Sequence, residues 1–353
     1  RLLGKDDAGQ SSTVAVSSAM KGRVGAFGMG GIGKTVMASF IARDPDIRKH
    51  FDFLVWITLS QTPEVQKCRQ LMHLQLTGTE MDDKSAEEAR EVLTAAMRGK
   101  KTLLILDDAW DEETEHEFSS CCDTSSGSRT LVTTRIRGLL KSAEQIEVGL
   151  PSEEDSVQLL LQSAGLPKTA NVPPEAAEIV QICGRLPLAV DIAGKLLSSL
   201  VDDVSDAWTG VPAMLREEMK LAGGSDGDET ALEYRVISAS LNSIPARDQD
   251  AINNVFSVFA LVAEDTHVPP AMFRLLLSAV TGTKRLVSEL QLRKWLQTLI
   301  NRSLVLNTWE RPQLHDIVRE YAMSRLSDED TVRIQRQVID TLFDARPESL
   351  KAD

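Results

Sequence analysis

The stretch GMGGIGKTVMASF, residues 28–40, decides the fold of this chain. Four glycines fall in its first six positions and a helix-forming run follows at once. GMGGIGKT fits GxxxxGK[ST], and it lies between the β-rich run RVGAF at 23–27 and the helical run VMASFIAR. In that setting successive backbone N–H groups turn inward around phosphates, and the helix N-terminus adds its positive dipole end. At ordinary glycine usage the four fixed positions match by chance in about one such chain in a hundred. A glycine-rich turn that merely opens a helix is the plain alternative, and the flanking strand and helix weigh against it. The cradle would be Gly28, Met29, Gly30, Gly31, Ile32, Gly33, Lys34, Thr35 and Val36. Lys34 would reach the β- and γ-phosphates, and the Thr35 hydroxyl would ligate Mg²⁺.

Working outward, KTLLILDDAW at 101–110 is an apolar strand that ends in two carboxylates. Downstream of a P-loop, Asp107 would hold Mg²⁺ through water, and Asp108 would orient or deprotonate an attacking water. A strand that simply turns at two aspartates is the bland reading. SRTLVTTR at 128–135 ends in Arg135, placed to sense a γ-phosphate from a neighbouring strand, although Arg129 and Arg137 compete for the role on pattern alone. The five histidines show no metal-ligand spacing, so no structural metal is expected. His315, in LHDIVREYA, reads from pattern as a histidine beside a helix start that Asp316 would cap.

Residues 1–150 alternate short β-rich runs (23–27, 52–59, 102–106, 129–134 and 145–148) with helical stretches. That alternation predicts an α/β P-loop domain, a parallel sheet with helices on both faces. After Pro151 the spacing turns helical, with Pro173 and Pro174 placed to start a helix, which predicts a small helical domain over 151–228. The acidic stretches VDDVSD and LAGGSDGDET read as flexible connections near a boundary. Over 229–353, helices with SLVLN at 303–307, TWERPQLHD and the helix IVREYAMSRL predict a winged-helix domain followed by a C-terminal helix.

Composition narrows the partners. A net charge of -13 over 353 residues argues against a nucleic-acid or anionic-membrane surface. The four cysteines, Cys68, Cys121, Cys122 and Cys183, are in no CxxC spacing and read as reduced structural thiols of a cytoplasmic protein. Apolar runs such as Val255 to Ala263 fall far short of the roughly 20 residues a bilayer needs. The opening RLLGKDD carries neither methionine nor an apolar leader, so the chain reads as a piece of something longer.

In order, these motifs resemble the NB-ARC family, the nucleotide-binding switch of plant disease-resistance proteins and of the apoptotic protease-activating factor, within the STAND class of ATPases. GMGGIGKT is that family's P-loop, FDFLVWITLSQ its next strand, LLILDDAW its acidic strand and SRTLVTTR its sensor strand. The resemblance implies Asp107 on Mg²⁺, Asp108 as the catalytic carboxylate and Arg135 on the γ-phosphate. LLGKDD at 2–7 resembles the family's opening motif, with Lys5 in place of arginine, which implies Leu3 and Gly4 against adenine and ribose. CGRLPLAV resembles the GLPL motif, with Arg185 where a glycine is usual, and implies that Pro187 packs near adenine with Leu188 beside it. LHD at 314–316 resembles the MHD motif and implies that His315 contacts the β-phosphate of ADP. The implied function is an ATP/ADP switch with slow ATPase activity, homo-oligomeric on activation, whose sensor and effector domains would flank this segment. Two other classes compete: a turnover P-loop ATPase or kinase, and a DNA-binding winged-helix regulator. Segment 151–200 lacks an arginine-rich lid, and segment 230–325 lacks a basic recognition helix.

Overall fold

The computed structural model describes residues 22–141, 143–167, 172–200, 204–221, 229–262, 266, 268–283 and 285–344. The five β-rich runs become β1 Arg23–Phe27, β2 Phe53–Thr58, β3 Thr102–Ala109, β4 Arg129–Thr134 and β5 Glu144–Glu147. They pair in parallel, in the order β2-β3-β4-β1-β5, so β4 separates the glycine-loop strand β1 from the acidic strand β3. The connecting helices are α1 Lys34–Arg43, α2 Pro45–His50, α3 Val65–Thr77, α4 Ala86–Met97 and α5 Glu112–Ser119.

Every residue of β3 is buried, and alternate side chains face opposite ways. Leu103 and Ile105 pack with Val24, Ala38, Phe51 and Leu131. Leu104 and Leu106 pack with Ile57, Met72, Leu93, Met97 and Phe118. A strand covered on both faces therefore reads as one continuous apolar run. Each such buried side chain contributes about 1.5–3 kcal/mol. Ser85 opens α4 with a full capping box through Glu88, and Asp44 and Asp111 cap α2 and α5. Glu115 of α5 is fully buried and ion-paired to Arg23 at the start of β1. Burial raises the Glu115 carboxyl above its ordinary range more than Arg23 lowers it.

The chain divides into two compact units, residues 1–149 and 150–353. The second is helical: α6 Glu153–Ser163, α7 Pro174–Ile182, α8 Pro187–Ser199, α9 Val204–Leu221, α10 Glu229–Asn242, α11 Ala246–Val258, α12 Pro270–Thr281 and α13 Glu289–Asn301. The antiparallel hairpin β6 Leu306–Thr308 and β7 Arg311–Gln313 follows, then α14 Asp316–Ser324 and α15 Asp328–Asp344. Proline takes the first helical position of α7, α8 and α12, where its missing N–H leaves no extra gap. Helix α10 packs on α8 and α9 as well as on α14, and Tyr234 meets Tyr321 edge to face at 5.2 Å.

Three local expectations are corrected. VDDVSD is not wholly a connection, because α9 begins at Val204. Ala207, Trp208, Val211 and Leu215 form a buried stripe at helical spacing, and their burial outweighs the acidic composition. SLVLN is a strand only from Leu306, and Leu304 and Val305 are buried in the preceding turn. Asp316 does not cap α14: His315 is the N-cap residue, in extended backbone, and Asp316 is already the first helical residue.

Cys68, Cys121, Cys122 and Cys183 are thiols, held in no disulfide. Burial pushes the Cys122 and Cys183 thiols up to about 12 and raises Cys121, so all three stay protonated at neutral pH.

Candidate functional site

The loop between β1 and α1 is shaped by two glycines above all. Gly33, at φ +93, turns the chain into α1 in a left-handed conformation that other residues resist. Gly28 lies so close to strand β5's end that a Cβ there would stand 2.7 Å from the Val148 carbonyl oxygen. The helix that follows has no side-chain cap and no acidic residue in its first turn, unlike the capped α2, α4 and α5. Its first N–H groups and its dipole are thus presented to an anion. Lys34 is folded over the same loop, its Nζ donating to the carbonyls of Gly28 at 3.0 Å and Met29 at 2.7 Å. Val36 is 58% exposed on α1, just beyond the cradle.

At the carboxyl end of the sheet the three motifs meet. Thr35 Oγ1 donates to Asp107 Oδ1 at 3.0 Å, across the intervening strand β4. From β4, Thr133 Oγ1 donates to the same oxygen at 2.6 Å and accepts from the Asp108 backbone N–H at 2.9 Å. Pairing of β3 with β4 slips between Leu106 and Ala109, and Asp108 takes φ +54. This bulge points the two successive carboxylates to different tasks. Asp107 faces Thr35. Asp108 accepts from Trp110 Nε1 at 2.8 Å and lies 3.6 Å from Arg135 Nε. Thr134 Oγ1 closes the bulge by donating to the Ala109 carbonyl at 2.6 Å.

The Thr35 hydroxyl and the Asp107 carboxylate are adjacent hard oxygen donors, the set that suits Mg²⁺ with phosphate oxygens and waters filling its other positions. The uncapped α1 N-terminus and Lys34 suit a polyphosphate. Gly28 through Thr35, Asp107, Asp108 and Arg135 thus gather at one place in the first unit. Of the competing arginines, Arg129 starts β4 and bonds the Ser128 carbonyl, and Arg137 lies over the Phe27 ring at 5.7 Å. Pro187, first residue of α8, and Leu188 are half-buried in the second unit, as is His315. Leu3 and Gly4 lie outside the described residues. The pattern did not single out Thr133, Thr134 or Trp110. Their letters stood in the two motifs, but a hydroxyl at a strand end shows its partner only once the neighbouring strand is known. Among the described residues, no group of three or more His, Cys, Asp or Glu could hold a metal ion, and no helix is long and apolar enough to cross a membrane.

Residues 15–170 match the NB-ARC domain family. The chain is 29% identical over 332 residues to apoptotic protease-activating factor 1 of Danio rerio, covering 87% of this chain and 24% of that protein. It is 26% identical over 332 residues to disease resistance protein RPP13 of Arabidopsis thaliana, covering 87% of this chain and 38% of that protein. The chain therefore spans well under half the length of these curated relatives. In fold it resembles the signal transduction ATPase with numerous domains from Pyrococcus horikoshii that carries a tetratricopeptide repeat sensor. That likeness has a TM-score of 0.57 at 15% identity, over 96% of this chain and 46% of the other. A glycine loop, an acidic strand and the strand that leads into Arg135 converge in this order, and the segment 15–170 that holds them is similar to the NB-ARC domain family.

Proposed function

We propose that the chain is the nucleotide-dependent switch of a larger signalling protein, resting with ADP, released by ATP to self-associate, and reset by slow hydrolysis. The observation that carries this reading is the meeting of Thr35, Asp107 and Thr133 beside an uncapped helix N-terminus. Bound there, Mg²⁺ would screen phosphate charge. Asp107 with Thr35 would hold the ion, Asp108 would orient the attacking water, and Arg135 would answer to the γ-phosphate. Pro187 and Leu188 would line the adenine, and His315 would contact the β-phosphate of ADP. A ligand shifts a two-state equilibrium only by the difference in its affinities for the two states. A histidine that meets the diphosphate only in the resting form supplies such a difference. The hairpin β6–β7 running into α14 supports reading that part of the second unit as a winged helix. The names of these relatives, an apoptotic protease-activating factor and a disease resistance protein, support a signalling role in defence or cell death.

The test is to denature the purified protein and identify the released nucleotide by chromatography. Near-stoichiometric ADP is expected from the wild type and an empty site from Lys34→Ala. Retention of nucleotide by Lys34→Ala, or steady-state turnover of about ten or more per second by the wild type, would overturn the switch reading.

A further inference from the structure

Asp108, Trp110 and Arg135 form a closed triangle in which each side chain meets the other two. Trp110 Nε1 donates to Asp108 Oδ2 at 2.8 Å, Arg135 Nε stands 3.6 Å from Asp108 Oδ1, and the Arg135 guanidinium lies 5.2 Å from the centre of the Trp110 ring. The carboxylate is largely enclosed, its side chain 13% exposed and that of Arg135 16%. Its backbone is held as well, at φ +54 with the N–H on Thr133 Oγ1.

We propose that Trp110 is a positioning residue which, with Arg135, clasps Asp108 and keeps ATP hydrolysis slow, and that the γ-phosphate opens the clasp by drawing Arg135 away. This rests on the role of Asp108 in hydrolysis proposed above. A carboxylate with one oxygen on an N–H donor and the other beside a guanidinium has less negative charge free to polarise a water. The two partners differ in mobility. The indole is a rigid body on two torsions, whereas the guanidinium rides on a long flexible stem and pairs readily with phosphate oxygens. A terminal phosphate therefore competes for Arg135 and leaves Trp110 in place. Asp108 Oδ1 is then turned over to the attacking water, while Oδ2 stays bonded to the indole N–H, which goes on drawing charge from the carboxylate and holds the rate down even with ATP bound. ADP lacks that phosphate, so the clasp stays shut in the resting state. The rate of resetting is thereby set inside the sheet's own edge, by a tryptophan that need not touch the nucleotide.

The experiment compares single-turnover ATP hydrolysis and ADP affinity in the wild type, Trp110→Phe, Asp108→Asn and the double variant. Phenylalanine keeps an aromatic face for Arg135 and deletes the N–H. Hydrolysis by Trp110→Phe should rise about three- to tenfold, the worth of one hydrogen bond, with ADP affinity within about twofold of wild type. The same substitution should add nothing in the Asp108→Asn background, since the released carboxylate is gone. A Trp110→Phe rate at or below wild type with ADP affinity retained would overturn the clasp and leave the role of Asp108 standing. Wild-type hydrolysis by Asp108→Asn would overturn that role and the clasp together. As a second readout, Trp110 fluorescence, taken as the difference between wild type and Trp110→Phe, should shift with a non-hydrolysable ATP analogue and not with ADP. An equal response to both would overturn release by the γ-phosphate.

Discussion

Arg185 carries a backbone conformation that an L side chain resists, φ +58, directly after Gly184 at the same φ. The two residues end α7, with the Arg185 N–H reaching back to the Val180 carbonyl at 3.0 Å, a Schellman-type stop that leads at once into Pro187 and α8. The left-handed region costs a non-glycine residue about 1–2 kcal/mol, offset in part by the extra chain entropy glycine would lose on folding. Arg185→Gly should therefore stabilise the fold by roughly 0.5 kcal/mol, and Arg185→Val should destabilise it by at least about 1 kcal/mol, because β-branching worsens the clash. Chemical denaturation of the two variants checks this. Equal stabilities would mean that the turn relaxes around whatever stands there. Arginine in the glycine's place is thus accommodated at a cost, and the proline that follows keeps its position as first residue of α8.

At the scale of the element, Asp123 ties the connection from α5 to β4 to the turn that follows α4. Asp123 accepts from Ser126 Oγ at 2.6 Å, from the Ser125 N–H at 3.1 Å and from the Gly99 N–H at 2.9 Å just past α4. The hydroxyl donors of Ser125 and Ser126, with the Gly99 N–H, hold the Asp123 carboxyl well below the usual carboxylate range. An acid whose folded pKa is depressed stabilises the fold above its unfolded value, about 3.9, and that contribution is lost as pH falls through the lower folded value. Asp123→Ala should lower the melting temperature at pH 7, and its gap to wild type should narrow steadily below about pH 4. Melts across that range decide it, and a gap independent of pH would show that the ionised carboxylate is not the source. The bulge in β3 is the other decisive element. Without the slip between Leu106 and Ala109, Asp107 and Asp108 would simply alternate across the sheet, and the triangle with Trp110 and Arg135 could not close.

Over the whole molecule the proposed switch depends on His315 distinguishing ADP from ATP. His315→Ala is expected to shift the nucleotide recovered from the purified protein from ADP toward ATP, by about tenfold in relative occupancy, and to raise the oligomeric fraction. Chromatography of the released nucleotide, with light scattering on the same preparation, reads both. Unchanged ADP content would remove His315 from the switch while leaving the P-loop assignment intact.

What the sequence determined by itself was the nucleotide-type unit. Its strand β3 carries a continuous apolar run because both faces of the sheet are covered there, and its glycine loop is legible because Gly33 answers to local sterics. The helix start at Pro174 was legible for the same local reason. Tertiary structure alone decided the rest. The strand order puts β4 between β1 and β3, and only then does Thr133 meet the aspartates of β3, Thr134 meet the Ala109 carbonyl and Trp110 meet Arg135. Helix α9 begins inside an acidic stretch because packing of Trp208 and Val211 overrides composition. Local rules act within a few residues of chain, whereas hydrogen bonds between strand ends and buried stripes depend on which distant residues become neighbours.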